Sequence, residues 1–184
     1  MGVAMMTTTS RGLVVLAVTG TVLALAVGPA GAAQRTVSDP VGDTQMMRGG
    51  PDIVATKVSY SNKRVTAKVT YRTAADIAYA TDGGTITGIN MKFGNGKRYV
   101  LQRHAADPGW QTPGVDEILI GDTSRRVTCA GVTSSVAKAK KQVTVSAPVS
   151  CFKGRGTDLK AQGFSFTVNY DLDETKWTKR IARG

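Results

Sequence analysis

The residue types that most often build catalytic and metal centres are scarce in this sequence. Its 184 residues include one histidine, His104, and two cysteines, Cys129 and Cys151. A zinc site usually takes four ligands of these types, so the sequence does not predict one. A catalytic triad would need a nucleophile for His104, and no Gly-x-Ser-x-Gly turn occurs. We therefore expect a protein that is not an enzyme, with His104 as an ordinary surface residue.

Charged residues are almost missing from residues 1–33, which contain no acidic residue and one basic residue, Arg11. An uncharged, mostly apolar run from Gly12 to Val27 is followed by Gly28-Pro29 and the small residues Ala30 to Ala33. This order is typical of a secretory signal peptide. The run is shorter than the roughly 20 residues of a membrane span. We predict a cleaved signal peptide over residues 1–33, a secreted protein, and no membrane span after cleavage; a retained anchor is the alternative. Cleavage after Ala32 fits the pattern as well as cleavage after Ala33.

Long stretches with helical spacing are absent after residue 33, where about eight short segments alternate between apolar and polar residues. Lys63 to Arg72 is the clearest of them, and Gly94-Asn95-Gly96 is typical of a hairpin turn between two others. Thr73 to Tyr79 fits a short strand or a helical turn equally well. We predict a polar loop over residues 34–52 and one all-β domain over residues 53–184, an antiparallel β-sandwich of jelly-roll or immunoglobulin-like type.

Both cysteines lie in the part of the chain that is predicted to be exported, where thiols are normally oxidised. With two thiols there is one intramolecular pairing, Cys129 with Cys151. We predict this disulfide, and we expect it to stabilise the fold by about 3 kcal/mol in the chain-entropy description.

Three carboxylates are grouped before the first predicted strand: Asp39 and Asp43 in Asp-Pro-Val-Gly-Asp, and Asp52 beside Ile53. Calcium takes roughly six to eight oxygen ligands, which these side chains and loop carbonyls could supply. Asp171 or Asp173 would complete the shell if the chain ends meet. The other interpretation is that these are turn-forming aspartates that bond their own backbone. The sequence leaves both open, and calcium is the one cofactor that it suggests.

Positive charge exceeds negative charge, with a formal net charge of +11 at pH 7. Such an excess favours polyanions outside the cell, such as a cell-wall polymer or an extracellular polysaccharide. The candidate contacts flank the predicted disulfide: Lys138, Lys140, Lys141, Lys153 and Arg155. A scattered, solvated surface charge is the alternative. Aromatic residues are not interleaved with these cations, so nucleic acid is not expected. Trp110 and Trp177 fit either sugar platforms or anchors of the core and loops.

The pieces named above resemble a group of small secreted actinobacterial β-sandwich proteins of unassigned function. The shared features are the opening Asp39-Pro40-Val41-Gly42-Asp43, the following Asp52-Ile53, an alternating hairpin, a late strand that ends in Pro and Cys over Val143 to Cys151, and the final Arg183-Gly184. More remotely, the opening loop is similar to that of carbohydrate-binding modules of the glucodextranase C-terminal and family 9 type. That resemblance implies calcium at acidic residues near the first strand and a carbohydrate ligand.

Taken together, the sequence predicts a secreted, non-catalytic β-sandwich that binds at or near the cell envelope, with calcium as its candidate stabilising ion and carbohydrate or polyanion as its candidate ligand. The alternative is a secreted interaction or inhibitor domain that presents a disulfide-held loop to a protein partner.

Overall fold

Two antiparallel β-sheets pack face to face in the structure, a computed structural model that describes residues 32–43, 50–80, 84–106, 115–121, 125–167 and 172–184. Its strands are β1 (Ala33–Ser38), β2 (Ile53–Tyr60), β3 (Arg64–Tyr71), β4 (Ile86–Phe93), β5 (Arg98–His104), β6 (Val115–Ile120), β7 (Arg125–Val127), β8 (Thr133–Ala137), β9 (Gln142–Pro148), β10 (Asp158–Phe166), β11 (Leu172–Glu174) and β12 (Ile181–Ala182). One helix, α1 (Ala74–Tyr79), follows β3, and short 3₁₀ turns span Lys138–Lys140 and Val149–Cys151.

The smaller sheet has the order β1-β2-β3-β9-β8, and the larger sheet has the order β11-β10-β4-β5-β6-β7, with β12 also paired to β10. The prediction of an antiparallel β-sandwich is confirmed. Apolar residues from alternating positions of both sheets form the core between them, among them Val58, Val69 and Val145 of the smaller sheet and Leu101 and Ile118 of the larger. Within the described residues no helix is long and apolar enough to cross a membrane.

The predicted hairpin at Gly94-Asn95-Gly96 joins β4 to β5, and Lys92 pairs with Arg98 next to the turn. Gly96 adopts a φ of +85°, which glycine takes without strain, and its N–H bonds Phe93 O at 2.9 Å. This register places the predicted apolar residues on the core side, where they are almost completely buried: Ile89, Met91, Phe93, Tyr99 and Leu101.

The polar loop predicted over residues 34–52 is wrong for its N-terminal part, because β1 pairs with β2 from Ala33↔Tyr60 to Ser38↔Ala55. As an edge strand, β1 is mostly exposed, so its sequence lacks the alternation that marks a buried strand. The sandwich therefore begins at Ala33, not at residue 53. The undecided segment after β3 is helical: Thr73 caps α1 and forms a capping box with Asp76.

Two strands differ from the period-two alternation of the sequence, which predicts that Val54, Thr56, Val58 and Tyr60 share one face of β2 and that the last strand begins at Phe164. A register shift between Ile53 and Ala55 turns Val54 away from the core side that Thr56 and Val58 share. The last predicted strand, built on Phe164 and Phe166, begins earlier, at Asp158. Its core-facing residues include the fully buried Ser165, which the sequence pattern assigned to the polar face. The first difference comes from the irregular pairing of β2 with β3, and the second comes from the long-range pairing of β10 with β4.

The predicted disulfide is confirmed: Cys129 and Cys151 are bonded, with their Cα atoms 5.7 Å apart. The bridge ties the segment after β7 to the 3₁₀ turn after β9, and Cys151 is 3% exposed within the core. It therefore fastens the far edge of the larger sheet to the smaller sheet.

Tyr71 links the two sheets through its hydroxyl group, which is fully buried. The oxygen lies 2.6 Å from Thr87 Oγ1 on β4, and the hydroxyl donates to Ser165 Oγ on β10 at 3.3 Å. Burial raises the pKa of Tyr71 to about 12. We expect Tyr71→Phe to lower the free energy of unfolding by about 1–2 kcal/mol, because two buried hydroxyls lose their partner.

Urea unfolding followed by fluorescence would measure this loss. Tyr79→Phe is the control, since Tyr79 is 38% exposed on α1 and its change should stay within about 0.5 kcal/mol. Equal midpoints for the two variants would contradict the role of Tyr71.

Candidate functional site

Three aspartates from opposite ends of the described chain meet at one edge of the sandwich. Asp39 follows β1, Asp43 follows the turn at Val41 and Gly42, and Asp173 lies in β11. One carboxylate oxygen of each lies within 4.8 Å of the others. Since β1 belongs to the smaller sheet and β11 to the larger, this acidic cluster joins the two sheets.

The beginning of β2 positions the cluster. The N–H of Asp39 bonds Val54 O at 3.0 Å, and the N–H of Ile53 donates to Asp173 Oδ2 at 2.5 Å. Asp52 Oδ2 accepts the N–H of Gly42 at 2.9 Å and so closes the turn before Asp43. Gly42 has a φ of +80°, which suits glycine in this tight turn. The Asp-Pro-x-Gly-Asp segment therefore folds back over the start of β2.

Crowding and burial hold these carboxyl groups in an unfavourable electrostatic environment. Burial and the charge of Asp43 raise the pKa of Asp39 to about 6, although a backbone hydrogen bond from Lys176 opposes the shift. Burial also raises the pKa of Asp173 to about 7; the Ile53 hydrogen bond opposes this, and the charge of Asp39 adds to it. Without a bound cation, Asp39 and Asp173 therefore keep their protons to a higher pH than an ordinary aspartate does.

One oxygen of the cluster has no hydrogen-bond partner. Asp39 is 9% exposed, and its Oδ2 is buried and unpaired among the described residues. A buried carboxylate oxygen without a partner is costly, and a cation bound between the three aspartates would satisfy it. The donor set is all oxygen, without the histidine or cysteine that zinc prefers, and it lies in a loop and a strand end. These features fit calcium.

The calcium ligands predicted from the sequence do not all belong to the acidic cluster. Asp39 and Asp43 belong to the cluster. Asp52 lies beside it but is not among the three that converge; it bonds Gly42, and its Oδ2 lies 3.5 Å from Arg72 Nη1. Asp171 lies outside the described residues. Asp173, the alternative to Asp171, occupies the third position, because β11 pairs with β10 and turns this side chain inward.

The stability of the calcium-free protein should fall as the pH rises from about 5 to about 8. Both carboxyl groups have folded-state pKa values, about 6 for Asp39 and about 7 for Asp173, above the unfolded value of 3.8. The stability that these two carboxyl groups contribute is therefore fully present below pH 3.8, and it is lost as the pH rises through 6 and 7. Thermal melts in chelator across this range would measure the slope.

The double variant Asp39→Asn/Asp173→Asn is the control for this pH dependence. It should lose most of the slope, because an amide does not ionise in this range. A midpoint of the unmodified protein that stays level or rises over the same range would contradict the raised pKa values.

The five basic residues predicted to contact a polyanion do not form one patch. Lys138, Lys140 and Lys141 precede β9, whereas Lys153 and Arg155 come after its other end. A seven-residue strand spans roughly 20 Å. Lys141 donates from Nζ to Arg72 O at 2.7 Å beside α1, while Lys153 O accepts the Tyr99 hydroxyl at 2.8 Å at the opposite end. Any polyanion contact by these residues would use two separate surfaces.

A groove on the outer face of the larger sheet was not predicted from the sequence. It has a volume of about 530 Å³, and its lining includes three cations, Lys92, Arg98 and Lys160, together with Trp177. The pairing of Lys92 with Arg98 follows from the register of the predicted hairpin, so this part of the groove could have been predicted from the sequence. The positions of Lys160 and Trp177 depend on long-range contacts of β10, for which the sequence has no local signal.

His104 lies on the same outer face, next to an acidic partner. Its Nε2 is 2.7 Å from Glu117 Oε1, and Arg126 Nε is 2.6 Å from Glu117 Oε2. Burial alone would raise the pKa of Glu117, but the Gln102 hydrogen bond and the charges of His104 and Arg126 outweigh it and hold the pKa below its usual value. The contacts of His104 in the described structure are thus with an acid and an amide.

Comparisons of this chain with protein-family models, with curated proteins and with solved structures gave no match. The resemblance to secreted β-sandwich proteins and carbohydrate-binding modules remains a prediction. The geometry of the acidic cluster and of the groove therefore carries the functional proposals.

Proposed function

We propose that this chain is a secreted, non-catalytic β-sandwich that binds an anionic polymer at or near the cell envelope and is stabilised by calcium. The observation that carries the proposal is the meeting of Asp39, Asp43 and Asp173 around a buried carboxylate oxygen that has no hydrogen-bond partner in the part of the chain that the structure describes. A calcium ion there would bond β1 and the following turn to β11, and so would join the chain ends. Millimolar calcium outside cells suits a site with about three carboxylates.

Two further observations support the binding part of the proposal. Without Arg11, which lies in the predicted signal peptide, the secreted chain has 23 basic and 13 acidic residues and a formal net charge of +10, which attracts anionic polymers over long range. In addition, the nearest described partners of His104 are Gln102 and Glu117, not a hydroxyl or thiol nucleophile. These contacts of His104 fit a binding role better than a catalytic role.

Secretion is part of the same proposal, and it is compatible with the fold. Cleavage after Ala32 would leave β1 whole, since this strand begins at Ala33. Cleavage one residue later would remove the pairing of Ala33 with Tyr60. We therefore place the mature N-terminus at Ala33.

Retention on purified bacterial cell-wall sacculi tests this function. The mature chain should sediment with sacculi at about 50 mM salt and be released at about 500 mM, as expected for charge-driven binding. Chelator should weaken retention if calcium organises the binding surface. Free chain in the supernatant at both salt concentrations would contradict the proposal, and capture of a protein partner in that case would favour the interaction-domain alternative.

A further inference from the structure

Three cations lie side by side across neighbouring strands of the larger sheet. Lys160 on β10 is directly opposite Lys92 on β4, which is directly opposite Arg98 on β5. Cross-strand neighbours of this kind have Cβ atoms about 5 Å apart, and like charges at that distance destabilise a sheet. The Lys92 and Lys160 pair is therefore unfavourable for folding, and an anionic ligand would relieve its repulsion.

The surface beside this row is open and polar. Gly121 lies next to Arg98, whose carbonyl accepts the Gly121 N–H at 2.9 Å, and it adds no side chain at the end of the row. Asn90 and Val100 face each other in the next row and belong to the lining of the groove. Asn90 Nδ2 donates to Glu174 Oε1 at 3.5 Å, and its second N–H and its carbonyl oxygen are the groups that it can offer to sugar hydroxyls. Among the described residues that line the groove, none is acidic.

Trp177 lies at the groove and is 45% exposed, on a backbone that is held from both sides. Thr175 exchanges two hydrogen bonds with Gly163, at 3.0 Å through its N–H and at 2.9 Å through Oγ1. Thr178 does the same with Ala161, at 2.8 and 3.0 Å. The indole is therefore presented on a fixed segment, and binding would not have to order its backbone.

From these contacts we propose that the groove binds a short acidic oligosaccharide built of uronic-acid rings. The apolar C–H face of one ring stacks on Trp177, and ring carboxylates pair with Lys92 and Lys160. This inference rests on the proposed function, since it names the chemical class of the anionic polymer. It also replaces the sequence-predicted lysines at the two ends of β9 as the main contact surface.

A single-stranded nucleic acid would offer rings and anions as well, but the groove fits it less well. Such ligands are held by several aromatic side chains on which successive bases stack. Trp177 is the one aromatic side chain of the described lining that is exposed, because Tyr99 is 4% exposed and packs on Phe93 in the core. A single exposed aromatic side chain beside a row of cations suits a sugar chain in which the rings themselves carry the negative charges.

The acidic cluster and the groove share one segment of chain. Asp173 belongs to the cluster, and Lys176, immediately before Trp177, lies close enough to Asp39 for its backbone and its charge to oppose the rise in the pKa of Asp39. Removal of calcium should therefore loosen the segment that presents the indole. We expect chelator to lower the affinity for the oligosaccharide about threefold to tenfold, although the oligosaccharide does not contact the calcium ion.

Titration calorimetry with a galacturonic-acid tetramer, in calcium and at low salt, tests the groove. The acidic tetramer should bind at least about tenfold more tightly than maltotetraose, its neutral counterpart. Trp177→Ala and Lys92→Gln/Lys160→Gln should each weaken binding about tenfold. The control Lys138→Gln/Lys140→Gln removes the same charge elsewhere and should change affinity less than about twofold.

Four results would overturn the inference: equal losses in the two lysine pairs, tighter binding of tetrathymidylate, unchanged affinity of Trp177→Ala, or no binding of either the galacturonate tetramer or a hyaluronan hexamer at about 1 mM. Melting curves of each variant establish that it is folded. If sacculi retain the chain but these variants change nothing, the groove assignment fails while the proposed function stands. If sacculi do not retain it, the proposed function fails first.

Discussion

Calcium at about 10 mM should stabilise the chelator-treated protein by about 3 kcal/mol at pH 7.5, if the dissociation constant is about 10⁻⁴ M as in extracellular modules. For a domain of this size, the melting temperature should rise by about 6–12 °C. The reason is that the ion binds the folded arrangement of Asp39, Asp43 and Asp173, whereas the unfolded chain does not bring them together. Differential scanning calorimetry with and without chelator measures the shift.

Asp43→Asn separates the calcium effect from a general salt effect. Asp43 is exposed, so the substitution disturbs little packing. It should raise the melting temperature of the calcium-free protein slightly, because it removes a charge that raises the pKa of Asp39. The same variant should lose most of the response to calcium.

The matched control for this experiment is Asp116→Asn, an exposed carboxylate on β6 outside the cluster. It should leave the calcium response unchanged. The response should also weaken towards pH 5.5, since the ion must displace protons from Asp39 and Asp173. A calcium-induced shift of equal size in both variants would exclude the cluster as the site.

Removal of the disulfide is expected to cost about 3 kcal/mol of unfolding free energy. The bridge closes a loop with a sequence separation of 22 residues, and its loss enlarges the conformational freedom of the unfolded chain. Alanine is the better replacement, because Cys151 is 3% exposed and a serine hydroxyl there would be buried. Urea unfolding of Cys129→Ala, Cys151→Ala and the double variant gives the measurement.

The three variants should have nearly equal stabilities, because either single change already breaks the same bond. Such non-additivity distinguishes a covalent link from the separate packing of the two side chains. Two single losses that sum to the double loss would show that packing, and not the bridge, is responsible. The midpoint of the cysteine-free variant should also be insensitive to reductant.

Strand identity and the hairpin could be predicted because both depend on neighbouring residues. Side chains of a strand alternate with a period of two, so Val65, Ala67 and Val69 could be assigned to the core, where all three are fully buried. The Asn-Gly turn specified the register of β4 with β5. The disulfide followed from counting, since two cysteines have one intramolecular pairing.

Pairing across long sequence distances could not be predicted in the same way. β1 has too little apolar alternation to be recognised alone, and it forms because β2 offers a free edge. Ser165 is buried because Tyr71 supplies its hydrogen-bond partner across the sandwich. In both cases, the partner that decides the structure is distant in the sequence.

By itself, the sequence determined that this protein is a disulfide-linked β-sandwich with an acidic loop before β2, because alternation, turn chemistry and cysteine count are local properties. Only the tertiary structure decided that Asp173 joins Asp39 and Asp43, and that Trp177 lies beside a row of three cations. The physical reason is sheet order: β10 pairs with β4 across about 70 residues of chain, and loop closure over such distances leaves no pattern in either segment.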